Sequence, residues 1–152
     1  MRIGLIADTH NLLRTEALAA LQGVDHLIHV GDIGGTQILA ELERIAPLSV
    51  VRGNNDDEAW ADAIPENLTL RFGALSLYVL HDLKQLAIDP RAERIDVVIA
   101  GHSHKPLHEE RDGVLYLNPG SAGPRRFKLP IGVGILDIEG RQVRAELITL
   151  QV

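Results

Sequence analysis

The sequence has no cysteine among its 152 residues. This excludes disulfides and thiolate ligands, so any metal must be held by nitrogen and oxygen donors. Aromatic residues make up only 3% of the chain, which argues against base-stacking platforms and aromatic cages. No stretch approaches the roughly 20 apolar residues of a membrane helix, and the N-terminus lacks the basic and apolar regions of a signal peptide. We therefore expect a cytoplasmic protein that does not enter a membrane.

Positive charge is also scarce: the chain has 15 Lys and Arg residues but 21 Asp and Glu residues, which gives a net charge of −6. Binding along a nucleic acid backbone needs many Lys and Arg contacts to phosphate, so extended nucleic acid is not an expected partner. The negative net charge is still compatible with a small anionic substrate if bound metal ions supply local positive charge. With 45% hydrophobic residues, the chain is long enough to bury an aliphatic core, and we expect residues 1–152 to form a single domain.

The apolar pattern changes between the two halves of the chain. The first half alternates strand-like runs at 3–7, 27–30 and 48–51 with helix-like segments at 12–22 and 36–45. This order predicts a βαβαβ unit with a largely parallel sheet. In the second half the pattern predicts a hairpin, a helix, two further strands and a closing hairpin. These elements span 68–72 with 75–79, then 83–94, 96–100, 114–117, and 132–138 with 142–150.

Residues with metal-ligand chemistry follow the predicted strands. Asp8 and His10 are two residues apart, so in extended backbone their side chains point the same way. His102 and His104 have the same spacing after the run at 96–100. Because strand ends converge at one edge of a parallel sheet, the joint pattern predicts a two-metal hydrolytic site. In chain order the candidate ligands are Asp8, His10, Asp32, Asn54, His81, His102 and His104.

Each cluster taken alone also fits a simpler interpretation. An isolated Asp-x-His is commonly a loop beside a helix N-terminus, and the polar run 53–57 is rich in turn formers. His29 is predicted to be a core histidine that hydrogen-bonds nearby backbone, while His26 and His108 have no assigned role. The pair Arg125-Arg126 either clamps a phosphate or forms a solvated basic pair.

These motifs, in this order, resemble those of the calcineurin-like metallophosphoesterases. The short length and the segment Asn118-Pro119-Gly120-Ser121 are similar to their small single-domain phosphodiesterase branch, and the resemblance covers essentially the whole chain. It implies an α/β fold, a four-layer α/β/β/α sandwich of two mixed β-sheets flanked by helices, with a binuclear centre at the strand ends. It also implies one metal on Asp8, His10 and His104, a second on Asn54, His81 and His102, and Asp32 as the bridge between them.

The implied centre suits a phosphodiester. Two divalent cations, two carboxylates and one hydroxide leave a charge of about +1, which attracts a singly charged diester. We expect a phosphodiesterase in which a metal-bridging hydroxide attacks phosphorus in line. Manganese is the expected metal, although nickel, iron and zinc also fit nitrogen and oxygen donors. The residues expected to take part in catalysis are Asp32, Asn54, His81 and Asp56.

Asn55 departs from the larger family, in which many phosphatases have a histidine that resembles a general acid. An amide cannot supply a proton at useful rates, so Asp56, His81 or metal-bound water must do so. Two other functions compete with the phosphodiesterase. One is a phosphomonoesterase acting on nucleotides or sugar phosphates, and the other is a metal-binding scaffold protein, since a retromer subunit resembles this family. The spacing of the motif residues does not identify the physiological substrate. The sequence is also compatible with a homo-oligomer.

Overall fold

Ten strands form two five-stranded sheets in the computed structural model, which describes residues 1–152. The first sheet has the order β10-β9-β1-β2-β3 and the second the order β4-β5-β6-β8-β7. In chain order the strands are β1 (Arg2–Ile6), β2 (His26–His29), β3 (Leu48–Val50), β4 (Asn67–Phe72), β5 (Leu75–Leu80), β6 (Val97–Ile99), β7 (Leu107–Arg111), β8 (Val114–Asn118), β9 (Gly132–Glu139) and β10 (Gln142–Thr149).

Both sheets are mixed. In the first sheet β1, β2 and β3 run parallel, while β9 and β10 are antiparallel neighbours. In the second sheet β5, β6 and β8 run parallel, with β4 and β7 antiparallel at the two edges. The predicted sandwich of two mixed sheets is therefore confirmed, and so are both predicted hairpins. Each predicted strand matches an observed one to within two residues at either end.

The main core lies between the two sheets. Side chains alternate across each strand, so Ile3 and Leu5 of β1 face the second sheet while Ile6 faces away from it. Leu77 and Ile99 supply the opposing surface from β5 and β6, and both are fully buried. Truncation of a buried leucine at such a position costs about 2–5 kcal/mol. This interior fixes the two sheets relative to each other, and with them the strand ends.

Two short α-helices cover the outer face of the first sheet. Helix α1 spans Thr15–Ala20 and α2 spans Thr36–Glu43, both shorter than the segments predicted. Ala17 and Leu42 point from these helices into a second apolar cluster on that face. None of the helices is long and apolar enough to span a membrane.

The predicted helix at 83–94 is wrong. The chain there forms only a 3-10 turn at Leu83–Gln85, whose first residues are held by the Asp82 carboxylate accepting from the Lys84 N–H at 3.0 Å. Pro90 lies within the same segment, and proline has no N–H for a helical hydrogen bond. The outer face of the second sheet is therefore covered by this turn and an irregular loop, from which Leu83, Leu86 and Ile88 pack against it.

Candidate metal centre

Polar side chains from both sheets converge where the parallel strands end. Asp8, His10 and His104 form one group, and Asp32, His81 and His102 form another, with the donor atoms of each group within 4.8 Å of one another. Each group combines loops that follow strands of different sheets. The sandwich therefore brings together six of the seven predicted ligands.

Asn54, the seventh, lies beside the second group. Its Oδ1 atom is 3.1 Å from Nδ1 of His102, and that nitrogen is 3.3 Å from Nε2 of His81. An amide oxygen donates electrons to a cation without cancelling its charge. The amide oxygen of Asn54 therefore lies next to the imidazole nitrogens of the second group.

The two carboxylates connect the groups. Nε2 of His10 lies 3.9 Å from Asp8 and 3.6 Å from Asp32. Nε2 of His81 lies 3.8 Å from Asp8 and 3.2 Å from Asp32. Both carboxylates are buried, with Asp8 fully enclosed and Asp32 only 3% exposed. Each carboxylate thus lies near an imidazole of each group, with the shorter distances at Asp32. The assignment of Asp32 as the bridge stays a prediction.

His81 is oriented by the backbone. Its Nδ1 atom is 2.8 Å from the carbonyl oxygen of Val30, so Nδ1 donates its hydrogen there and Nε2 faces the carboxylates. Such an outer hydrogen bond is what fixes the tautomer of a ligating histidine. Burial acts to lower the pKa of His81, but its hydrogen bond with Asp32 and the charge of Asp8 outweigh burial and raise that pKa. A proton or a cation between Nε2 and the carboxylates is therefore favoured.

The pKa values of the two carboxylates differ, because burial and neighbouring groups act on them to different extents. Burial raises the pKa of Asp8 to about 7. Burial also acts to raise the pKa of Asp32, but the hydrogen bond from His81, the His81 charge and the Asn55 N–H lower it to about 2. Asp8 therefore binds a proton more readily than Asp32 does, and a nearby cation would favour its ionised form.

Three buried atoms of the first group have no hydrogen-bond partner. They are Oδ1 of Asp8, Nε2 of His10 and Nδ1 of His104. An unpartnered buried polar atom costs about 1–3 kcal/mol. One carboxylate oxygen and two imidazole nitrogens are donors that a divalent transition metal accepts. The residues therefore fit such an ion.

The backbone at the site is unusual. Asp8, His10, Asp32, His102 and His104 have φ values of 55°, 45°, 56°, 70° and 62°, in the left-handed region. Residues other than glycine rarely adopt this region, at a cost on the order of 1–3 kcal/mol each where it is strained. Five of the seven predicted ligands are involved, which matches the tendency of such strain to collect at functional sites.

Asp56 links two of the loops that carry these residues. It is 4% exposed, and its carboxylate accepts from the N–H groups of Ile33 at 2.9 Å, Gly34 at 3.3 Å and Gly53 at 2.9 Å. These contacts tie the loop after β2 to the loop after β3. They favour a positioning role, and the predicted part of Asp56 in catalysis stays a prediction.

Asn55 has a role that sequence reasoning missed. Its N–H donates to Oδ1 of Asp32 at 2.9 Å, and its side-chain amide donates to Oδ2 at 3.1 Å. Gly53 lets the two loops meet, because a Cβ atom there would lie 2.2 Å from Oδ1 of Asp32. Asn55, which stands where many phosphatases of the family have a general acid, thus orients the Asp32 carboxylate.

His29 is a core histidine, as predicted. It is fully buried, and its Nδ1 atom accepts from the Gly31 N–H at 3.1 Å. Nε2 therefore carries the hydrogen and donates to the Thr9 hydroxyl at 3.0 Å, which donates in turn to the Ile33 carbonyl at 2.7 Å. Burial lowers the pKa of His29 to about 3. This neutral chain of hydrogen bonds supports the loops of Asp8 and Asp32.

The segment Asn118-Pro119-Gly120-Ser121 supports the remaining loops. The Asn118 amide donates to the Gly101 carbonyl at 3.0 Å, next to His102. The Ser121 hydroxyl donates to the Asp8 carbonyl at 3.1 Å. The only sequence signal for this supporting role was that the segment resembles one found in the small phosphodiesterases of the family.

Comparisons with known proteins agree with the fold and identify the family. The model of the calcineurin-like phosphoesterase superfamily domain matches residues 1–141. A probable metallophosphoesterase of Methanothermobacter thermautotrophicus is 33% identical over 159 residues, covering 97% of this chain and 92% of that protein. The solved structure of a novel archaeal phosphodiesterase is 28% identical, with a TM-score of 0.80 over 97% of this chain and 100% of that one.

A further likeness concerns the fold alone. Wild-type Vps29 of Entamoeba histolytica, solved as a complex with Zn²⁺, superposes with a TM-score of 0.79 at 23% identity, over 98% of this chain and 99% of that one. The family match over residues 1–141 and the relative at 33% identity go further. They show that this chain belongs to the calcineurin-like phosphoesterase superfamily.

Proposed function

We propose that the protein is a metal-dependent phosphodiesterase with two divalent cations at the site described above. Asp8, His10 and His104 would hold one cation, and Asn54, His81 and His102 the other, with Asp32 as the bridge. The observation that carries this proposal is the pair of buried carboxylates facing the imidazoles of His10 and His81, in a site where three buried donor atoms have no hydrogen-bond partner. We take manganese as the first metal to test.

When bound, the two cations would stabilise negative charge on the phosphate oxygens and lower the pKa of water. The chain itself contributes mostly neutral donors. Burial lowers the pKa of His104 to about 4, so this imidazole is free to act as a ligand at neutral pH. Because only Asp8 and Asp32 bring negative charge, the loaded site keeps the positive charge that draws in a phosphate ester.

The preference for a diester follows from charge. A site with a residual charge of about +1 matches a single negative charge better than the two of a phosphate monoester. The similar archaeal protein described as a phosphodiesterase also supports a diester as the substrate. A phosphomonoesterase is the alternative that the same experiment tests.

The leaving group receives little help from these side chains. Asn55 cannot supply a proton, and its amide donates to Asp32. The Asp56 carboxylate is engaged with backbone N–H groups, and the Nδ1 hydrogen of His81 is engaged with Val30. We infer that the enzyme favours esters whose leaving group departs without protonation.

The experiment compares bis-p-nitrophenyl phosphate with p-nitrophenyl phosphate. Protein is stripped with a chelator and reloaded with manganese, nickel, zinc or iron alone, and bound metal is counted by elemental analysis. We expect turnover only after reloading, with the diester preferred. A preference for the monoester would favour the phosphatase, and two bound metals without turnover of either ester would favour the scaffold.

A further inference from the structure

A cleft of about 670 Å³ opens beside the second metal-ligand group. His102 forms part of its wall, and three cationic side chains line it, namely Lys84, Lys105 and Arg126. Asp82 is the one carboxylate in the lining, and it lies 3.8 Å from Nε2 of His102. We call this feature the basic cleft. It concentrates positive charge in a protein whose net charge is −6.

The cations of the basic cleft are unpaired. The ion pairs formed by lysine and arginine in this protein all use other residues. Lys84, Lys105 and Arg126 are exposed, and their side chains donate no hydrogen bond within the chain. All three are therefore available to an external anion.

Arg126 differs in this respect from its neighbour. Arg125 donates to the carbonyl oxygens of Leu129 at 3.2 Å and Val152 at 3.4 Å. Arg126 makes no such contact, and it lines both the basic cleft and the adjoining hollow, which contains Lys128. The cationic wall therefore continues outward from the metal-ligand residues along one side.

Arg126 lies close to the candidate centre, since it lines the same cleft as the candidate ligand His102. An arginine fork that is not otherwise engaged binds phosphate oxygens in bidentate fashion.

From this geometry we propose that the basic cleft binds a second phosphate group of the substrate, with Arg126 as its principal contact. The substrate class is then a phosphodiester that carries an additional phosphate, as a phosphorylated nucleotide ester does. This inference rests on the proposed function, because the scissile diester is taken to lie at the metal centre. The metals act on one phosphate and the cleft positions the other.

The test uses a matched pair of chromogenic esters. Thymidine 5′-(p-nitrophenyl phosphate) is compared with the same ester bearing a 3′-phosphate, using manganese-loaded protein. We expect kcat/KM to be about tenfold higher for the 3′-phosphorylated ester, mainly through KM, since a hydrogen bond to a charged group contributes on that order. The ratio should fall as salt is added, because exposed charges are screened.

Two variants separate Arg126 from charge in general. Arg126→Gln should bring the ratio between the two esters close to one. Arg125→Gln removes the same charge one residue away and should keep the wild-type ratio. Equal loss of the ratio in both variants would overturn the assignment to Arg126.

A binding measurement keeps this inference distinct from the proposed function. Titration calorimetry compares thymidine 3′,5′-bisphosphate with thymidine 5′-monophosphate on the same loaded protein. If bis-p-nitrophenyl phosphate is hydrolysed but the additional phosphate improves neither kcat/KM nor affinity, the cleft inference fails alone. If no diester is hydrolysed, the proposed function fails, and the cleft inference then stands only if the bisphosphate binds more tightly and Arg126→Gln removes that advantage.

Discussion

Replacing Asp56 by alanine should destabilise the protein and weaken metal binding together. Its carboxylate accepts hydrogen bonds from three backbone N–H groups, of Ile33, Gly34 and Gly53, and the residue is 4% exposed. Each N–H left without a partner costs about 1–3 kcal/mol. Allowing water to reach part of the gap, we expect the free energy of unfolding to fall by about 3–5 kcal/mol.

The effect on metal binding follows from the loops that Asp56 joins. Without the carboxylate, the loop of Asp32 and the loop of Asn54 are joined only by the hydrogen bonds from Asn55 to Asp32 and by weaker contacts. Loss of a group that orients ligands typically lowers metal affinity by about 10–100-fold. Urea unfolding of the metal-free variant gives the stability, and calorimetric titration with manganese gives the affinity. Asp57→Ala, at the exposed neighbouring position, is the control and should stay within about 0.5 kcal/mol of the wild type.

Two results would refute this reasoning. If Asp56→Ala were no less stable than Asp57→Ala, the carboxylate would not hold the loops together. If Asp56→Asn kept wild-type stability and metal affinity but lost turnover, and lost one limb of the pH–rate profile, Asp56 would be a proton donor or acceptor in the reaction. The positioning role requires stability, affinity and turnover to decline in the same variants.

Three further outcomes are expected. Asp32→Ala should lose bound metal and activity together, and a variant that kept both metals and full turnover in elemental analysis and assay would disprove the bridge. Rates across a series of aryl esters should fall steeply as the pKa of the leaving group rises, whereas a flat series would indicate an unrecognised acid or slow product release. In metal-free protein the contribution of His29 to stability should fall as pH drops from 6.5 toward 3, because unfolded His29 takes up a proton that the folded form, with a pKa of about 3, does not. In urea titrations over this range, the slope of stability against pH should therefore be lower for His29→Gln than for the wild type by roughly 1.4 kcal/mol per pH unit.

Much of the fold could be predicted because buried strands leave a plain apolar signal. The exposed edge strand Leu107–Arg111 was missed, since four of its five residues are exposed and hydrophobic periodicity detects only buried faces. Its one local signal was the Asp112-Gly113 dipeptide, whose φ values of 51° and 79° suit the tight turn of a hairpin. A search for turns would have found what a search for apolar runs did not.

In the candidate site, too, some features could be predicted from the sequence and others could not. The ligand types were readable because each follows a strand whose end position is fixed by the sheet. The contacts of Asn55 with Asp32, and of Asp56 with Ile33, join residues 23 positions apart in the sequence. Such contacts depend on how two loops meet, and no local pattern encodes that. Sequence spacing therefore predicts the donor atoms better than the residues that hold them in place.

The left-handed backbone at five ligand positions limits how this centre can be rebuilt elsewhere. Grafting the seven side chains onto ordinary strand-end loops of another scaffold would aim most of them wrongly, because few loop positions hold any residue other than glycine in that backbone region. The transplantable unit is the set of loops, including Gly31 and Gly53, at which a Cβ atom would lie 2.6 Å from His81 and 2.2 Å from Asp32. A designer should therefore copy the backbone path first and choose the metal ligands second.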